Sequence, residues 1–242
     1  MIRSVFVIAI TFAYIVITGI PTVLYAIVTG NTDPVYRVGI AGARMALYLA
    51  GVRMEVRGAE KIPRGRPVVF MPNHQSNCDP PAMLVNLPPV LVLAKREFFR
   101  VPILGRAMRL RGFIPVERKN RERAIAAVEK AVEALKAGHS FLVYPEGTRS
   151  PDGRLQTFKK GVFVMAIKAG APIVPISISG SAKIMRKGEI RIRPGRIRIT
   201  MHDPVPTEGY SLEDRGKVIE LVRSAVLTGL TEEERPLISA RH

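Results

Sequence analysis

A chain of 242 residues, 47% of them hydrophobic, with 37 Lys and Arg against 20 Asp and Glu, carries a formal charge of +17 and is no acidic disordered tail. Its length supports one or two domains with a self-sufficient core. The single cysteine, Cys78, excludes an intramolecular disulfide and a cysteine-built zinc site.

A mean hydropathy of +0.14 alongside 24% charged residues requires the apolar residues to be unevenly spread. They gather at the front: Arg3 is the only charge in the first thirty residues, and Val5 to Val28 reads VFVIAITFAYIVITGIPTVLYAIV. A membrane span needs roughly 20 apolar residues, which this stretch supplies, while Gly19 and Pro21 predict a kink near Ile20. Asn31-Thr32-Asp33-Pro34 then reads as a helix stop followed by a new N-cap with Pro at the first helical position. The next helix, VYRVGIAGARMALYLAG, places Arg37 and Arg44 seven apart on one face, an amphipathic pattern suited to the membrane interface. With Arg3 before the apolar run and Arg37, Arg44 and Arg53 after it, charge does not choose between a spanning helix and an in-plane pair. A monotopic two-helix anchor over residues 1–51 is the favoured reading. A cleaved leader would need a small-x-small site, which Thr29-Gly30-Asn31 does not supply, and a buried core helix stays open.

Past Gly51 the pattern changes to short β-branched runs. Residues 54–58, 67–71, 89–94, 112–116, 140–144 and 172–179 read as buried strands, and 120–137 and 160–169 as helices between them. Ala124, Val128, Ala131, Val132 and Leu135 make the apolar stripe of the first, and Gly138 stops it. This alternation predicts an α/β domain over 52–242 with a largely parallel sheet covered by helices. Near the end, EIRIRPGRIRIT alternates Ile with Arg and predicts a hairpin around Pro194-Gly195. Its arginines read as a solvated face or as a surface for anionic lipid headgroups or an acidic protein.

Three strand ends carry chemistry-bearing residues. The first, Pro72-Asn73-His74-Gln75-Ser76-Asn77-Cys78-Asp79-Pro80-Pro81, holds one of only four histidines. An imidazole works as a general base near neutral pH, and a carboxylate can hold its tautomer. Five residues of helix turn about 500°, leaving the two side chains about 140° apart, so His74 and Asp79 meet only across a loop-to-helix junction. The second strand end is Gly112 to Arg118, and the third is Tyr144-Pro145-Glu146-Gly147-Thr148-Arg149-Ser150, followed by Phe158-Lys159-Lys160-Gly161. Strand ends on one edge of an open α/β sheet bind ligands, arginine matches phosphate, and Gly147 admits close backbone N–H groups.

In combination NHQSNCD, GFIPVER, YPEGTRS and IVPI, within residues 55 to 205, resemble the glycerolipid acyltransferase family, most nearly its lysophosphatidic acid acyltransferase branch. The resemblance implies an α/β acyltransferase fold with a membrane-associated front. It implies His74 as base and Asp79 as its partner. Arg118, Glu146, Gly147, Thr148 and Arg149 would form the glycerol-phosphate site with Lys159 as a further anion contact, and Val174, Pro175 and Ile176 an acyl or acceptor pocket. Pro115 and Tyr144 depart from the family pattern, Tyr144 standing for the usual Phe.

The reaction implied is direct acyl transfer, without metal or cofactor, from an acyl-carrier-protein or coenzyme A thioester to the sn-2 hydroxyl of lysophosphatidate. The basic body suits an anionic membrane on its cytoplasmic face, and an acidic carrier protein. Three other readings stand beside it. Acylation of glycerol-3-phosphate or another lysophospholipid depends on pocket shape. A covalent route through Cys78 would use His74 as its base. A membrane-tethered nucleic-acid binder fits the charge, but aromatics are only 6% and there is no Trp to stack bases, so no nucleic-acid partner is expected.

Overall fold

The computed structural model of the chain describes residues 1–117 and 120–237. Helix α1 (Ile2–Thr29) runs through Gly19 and Pro21 as one helix and ends at Gly30 in the left-handed conformation. It is long and apolar enough to cross a membrane, and only 11% of its most apolar window is buried, which excludes a core helix. Helix α2 (Asp33–Leu49) begins with Pro34 in its first turn, as the sequence indicates. The two helices are fastened by the Tyr14 hydroxyl, which donates to the Val38 carbonyl at 3.0 Å, and by the Tyr14 ring lying against Gly42.

The β-branched runs become a single sheet of seven strands. In chain order these are β1 (Val52–Arg57), β2 (Val69–Pro72), β3 (Leu91–Lys95), β4 (Ile114–Val116), β5 (Phe141–Leu142), β6 (Ile173–Ser179) and β7 (Gly195–Met201). Their spatial order is β1-β7-β6-β2-β5-β3-β4. All neighbours are parallel except β6 and β7, so β1 and β7 start at the edge where the other five finish.

Helices close both faces, because alternate strand residues point to opposite sides. Val69, Met71, Phe141 and Ile173 pack against α5 (Arg121–Lys136), α6 (Lys160–Ala169) and α8 (Arg215–Thr228). Val68, Phe70, Leu142, Val174, Ile176, Ile197 and Ile199 pack on the other side, with α3 (Asp79–Leu84) and Leu47 of α2. Short helices α4 (Leu104–Leu110) and α7 (Ser181–Ile184) complete the chain. Ahead of α4, Ile103 takes φ 62° and sets its side chain against Gly19, joining this segment to α1. A β-branched residue there is strained, by about 1–3 kcal/mol.

The expected hairpin around Pro194-Gly195 does not form. Only its second half is a strand, and β7 pairs parallel with β1 and antiparallel with β6. The first half is drawn away: the Ile192 N–H donates to Ser4 Oγ at 2.9 Å and the Arg193 N–H to the Ile184 carbonyl at 2.9 Å. Strands β1 and β6 offer β7 two long partners, against the single short one a hairpin would provide.

Candidate active site

The site forms where β2 and its neighbour β5 end. Strand β2 stops at Pro72, and the Asn73 side chain continues its pairing in place of a peptide: Nδ2 donates to the Ile178 carbonyl at 2.8 Å, and Oδ1 accepts the Ile178 N–H at 2.6 Å. The chain then turns through 74–78 into α3, whose first residue is Asp79 and whose next two are prolines. This is the loop-to-helix junction that the five-residue spacing demands. His74 Nδ1 stands 2.8 Å from Asp79 Oδ2. The same oxygen accepts the backbone N–H groups of Gln75 and Ser76, each at 2.7 Å.

Asp79 is wholly buried, whereas the His74 side chain keeps 15% of its surface exposed. With Nδ1 directed at the carboxylate, Nε2 is the ring nitrogen left for a substrate. The Tyr144 ring stacks on the imidazole, with centroids 4.1 Å apart. Burial, then the nearby Asp79 charge, push the Tyr144 hydroxyl well above its ordinary range and keep it neutral. Asp79 Oδ1 and the Tyr144 hydroxyl are buried without a hydrogen-bond partner among the described residues.

The loop after β5 grips the first loop. The Ser150 N–H donates to the His74 carbonyl at 2.7 Å. Glu146, buried, accepts the His74 N–H on Oε1 at 2.6 Å and both the Gln156 N–H and its Nε2 on Oε2 at 3.0 Å. Burial outweighs these donors and raises its carboxyl to about 7. Both oxygens are therefore occupied in holding backbone and amide groups. Sequence reasoning put Glu146 among anion contacts; the structure turns it inward.

Gly147 adopts φ 75° in the turn that follows, a conformation costly for a residue with a Cβ. Thr148 is exposed, and its carbonyl accepts from Gln156 Nε2. Arg149 is half-buried, and its Nη1 lies out of solvent with no hydrogen-bond partner among the described residues. A buried guanidinium nitrogen without an acceptor is costly unless an anion supplies one. Lys159 is exposed, with its backbone N–H on the Pro145 carbonyl at 2.7 Å. Arg118 lies outside the described residues.

Val174, Pro175 and Ile176 are buried in β6, in register with Phe70, Met71 and Pro72 of β2. They are packed within the core beneath the His74 loop, and the structure does not bring them to the His74 side chain's exposed edge. Cys78 is buried, and burial pushes its thiol up to about 11, so it is not the ready thiolate that a covalent route needs. A serine–histidine contact elsewhere, between Ser177 Oγ and His202 Nε2 at 2.7 Å, is structural: the serine hydroxyl gives its proton to the Val226 carbonyl at 2.6 Å and fastens β6 to α8. Among the described residues no three His, Cys, Asp or Glu side chains gather to hold a metal ion.

Residues the sequence argument left without a role are the uncharged clamps. Asn73 is one, and Gln75 another, its Nε2 donating to the Gly153 carbonyl at 2.9 Å. Their one sequence signal is a run of polar residues, unbroken by a turn-forming glycine, directly after a buried strand.

A mostly parallel sheet, a histidine–carboxylate pair at one strand end and a half-buried arginine at the next make an α/β fold with a candidate site of the kind that enzymes use. The family model described as Acyltransferase matches residues 53–179, and the chain belongs to that family. The 1-acyl-sn-glycerol-3-phosphate acyltransferase alpha of Ovis aries is 38% identical over 187 residues, 76% of this chain and 65% of that one. The Homo sapiens protein of the same name is 37% identical, over 76% of this chain and 66% of its own. The chain thus spans just under two thirds of the length of these relatives. Among solved structures, the 1-acyl-sn-glycerophosphate (LPA) acyltransferase PlsC from Thermotoga maritima superimposes with a TM-score of 0.83 at 29% identity, covering 94% of this chain and 93% of that one.

Proposed function

We propose that the chain transfers an acyl group from a thioester to the sn-2 hydroxyl of lysophosphatidate, making phosphatidate. The observation that carries this reading is the His74–Asp79 bond of 2.8 Å at a strand end, in a chain similar to proteins named for this reaction. Nε2 of His74 takes the hydroxyl proton as the alkoxide forms a bond to the thioester carbonyl carbon. The tetrahedral intermediate then expels the thiolate, which recovers the proton from His74 and leaves as the thiol. Asp79 holds Nδ1–H and balances the imidazolium that exists between the two transfers.

Arg149, with its unpartnered Nη1, receives the acceptor's phosphate. Arg118, the Gly147-Thr148 turn and Lys159 complete that anion site. Glu146 acts on the loop rather than on the anion, since a second carboxylate beside a phosphate would repel it. The donor is an acyl-carrier-protein or coenzyme A thioester. The protein works at a membrane through α1 and α2, with its α/β domain on the cytoplasmic face.

The test is transfer of labelled acyl groups from either thioester to lysophosphatidate, glycerol-3-phosphate and lysophosphatidylcholine in neutral detergent micelles. Phosphatidate as the main product supports the reading. Product from glycerol-3-phosphate or lysophosphatidylcholine alone moves the acceptor, and no product from any of them overturns the reading.

A further inference from the structure

A cavity of about 640 Å³ lies away from the His74 loop, where the N-terminal helix pair meets the sheet, lined by Arg3, Tyr48, Arg53, Pro194 and Arg196 with the glycines between them. It opens where β1 and β7 begin, which is the sheet edge where β2 ends. Strand β1 is three places from β2 and β7 is two, so strand spacing puts the cavity about 10–15 Å to the side of the His74 loop.

Three arginines line it, one of them neutralised by a carboxylate at its border. Arg196 is paired with Glu55 at 2.6 Å, while Arg3 and Arg53 make no ion pair with the described residues. The site is built by converging backbone. Gly51 has φ 72°, and a Cβ on it would lie 2.9 Å from Pro194 Cβ and 3.1 Å from Arg3 Nη1, so its bare backbone lets the Arg3 guanidinium lie down into the cavity. The Gly195 N–H donates to the Gly51 carbonyl at 3.2 Å, and the buried Ser4 hydroxyl holds the Ile192 N–H beside the first turn of α1. Glu55 answers the charge of Arg196, which leaves Arg3 and Arg53 as like charges that repel one another unless an anion sits between them.

The same segments expose large apolar side chains. Ile2 is 88% exposed, Tyr48 82% and Ile190 68%, with Val5 and Phe6 also facing out. Arginines that share a cavity with Tyr48, Val52 and Pro194, on segments that expose further apolar side chains, fit a phosphate at the level where headgroups meet acyl chains. A water-soluble phosphate has no use for such apolar neighbours. The volume falls within the range of small-molecule sites, enough for a phosphoglycerol headgroup.

We propose that this cavity binds the phosphate of an anionic membrane phospholipid that is not the reacting acceptor, seating the sheet edge on the bilayer with the His74 loop at the same level. The proposal rests on the reading that the chain works at a membrane. Arg3 and Arg53 are its ligands, with Arg196, held by Glu55, beside them, and Tyr48 packs on the lipid.

Binding of the full chain to phosphatidylcholine vesicles with and without phosphatidylglycerol tests it. Arg3→Gln with Arg53→Gln should weaken binding to the anionic vesicles roughly thirtyfold, about fivefold for each charge. Lys130→Gln with Lys136→Gln, an equal charge loss on exposed positions of α5, should change it less than about twofold. Arg53→Glu alone should act in the same direction as the first pair, which guards against a folding defect in the double variant. Acyl transfer to lysophosphatidate in neutral detergent micelles should be unchanged by all three.

Equal losses in the two double variants would overturn the proposal in favour of diffuse charge. So would unchanged vesicle binding with weakened binding of coenzyme A or inorganic phosphate, or a collapse of micellar activity in the arginine pair alone. If the wild-type chain made no phosphatidate, the vesicle comparison would still read out the cavity by itself.

Discussion

The two loops above the sheet each bury a carboxylate, and they use it differently. After β2, Asp79 meets the imidazole and two backbone N–H groups with one oxygen and leaves the other without a partner. After β5, Glu146 commits both oxygens to N–H donors from His74 and Gln156. An acid with an oxygen to spare takes conversion to its amide more easily, because the new NH₂ goes where no N–H donor points. An acid with both oxygens engaged does not, because one N–H must then face an NH₂. On the proposed function, Asp79 serves the chemistry and Glu146 the loop that presents it.

The largest test of this division is His74→Ala. It should lower acyl transfer by about 10²- to 10⁴-fold, the usual worth of a general base, with the fold intact by circular dichroism. A loss under tenfold would move the base elsewhere. Next is Arg149→Ala, which should raise the lysophosphatidate KM by roughly tenfold to a hundredfold, the worth of one charge-assisted hydrogen bond, and leave the donor KM unchanged. An equal rise for both substrates would mean that Arg149 supports the loop rather than the phosphate.

Glu146 carries a pH signature. Its carboxyl stands at about 7 in the fold against an ordinary 4.5. Between those values the unfolded chain is ionised there and the folded chain holds the proton, so rising pH favours unfolding. This group should lower stability by up to about 3 kcal/mol from the bottom of that window to the top. Denaturant midpoints across the window should fall with pH in the wild type, and the slope should flatten in Glu146→Gln. An unchanged slope in the variant would place the titration on another group. The smallest effect belongs to Cys78→Ala, which should keep transfer within about twofold because a buried, protonated thiol takes no part. Loss of activity with the fold intact would revive a covalent route.

What the sequence revealed follows the range of the forces involved. Strands and helices were legible because buried β-branched runs and an apolar stripe are local patterns, and the His74–Asp79 pair was legible through the motifs' resemblance to a family, its spacing adding only that the two meet across a loop-to-helix junction. The false hairpin had the right local signals, alternating Ile and Arg around Pro-Gly, but its strand found longer partners in β1 and β6. Glu146 misled for a similar reason. A carboxylate two positions from a glycine-arginine turn reads as part of a ligand site, and where its oxygens point depends on Gln156, ten residues on, and on His74, seventy-two residues back. Asn73 went unread because an amide that imitates a strand cannot be told from one in a turn until its partner, Ile178, is known.

The central claim is tested most directly by measuring acyl-transfer rate and thermal midpoint together in Asp79→Asn and Glu146→Gln. The account predicts a crossed result: Asp79→Asn loses at least about a hundredfold in rate with its midpoint nearly unchanged, and Glu146→Gln loses several degrees with a smaller loss of rate. Full activity in Asp79→Asn, or the same balance of rate and stability loss in both variants, would contradict it.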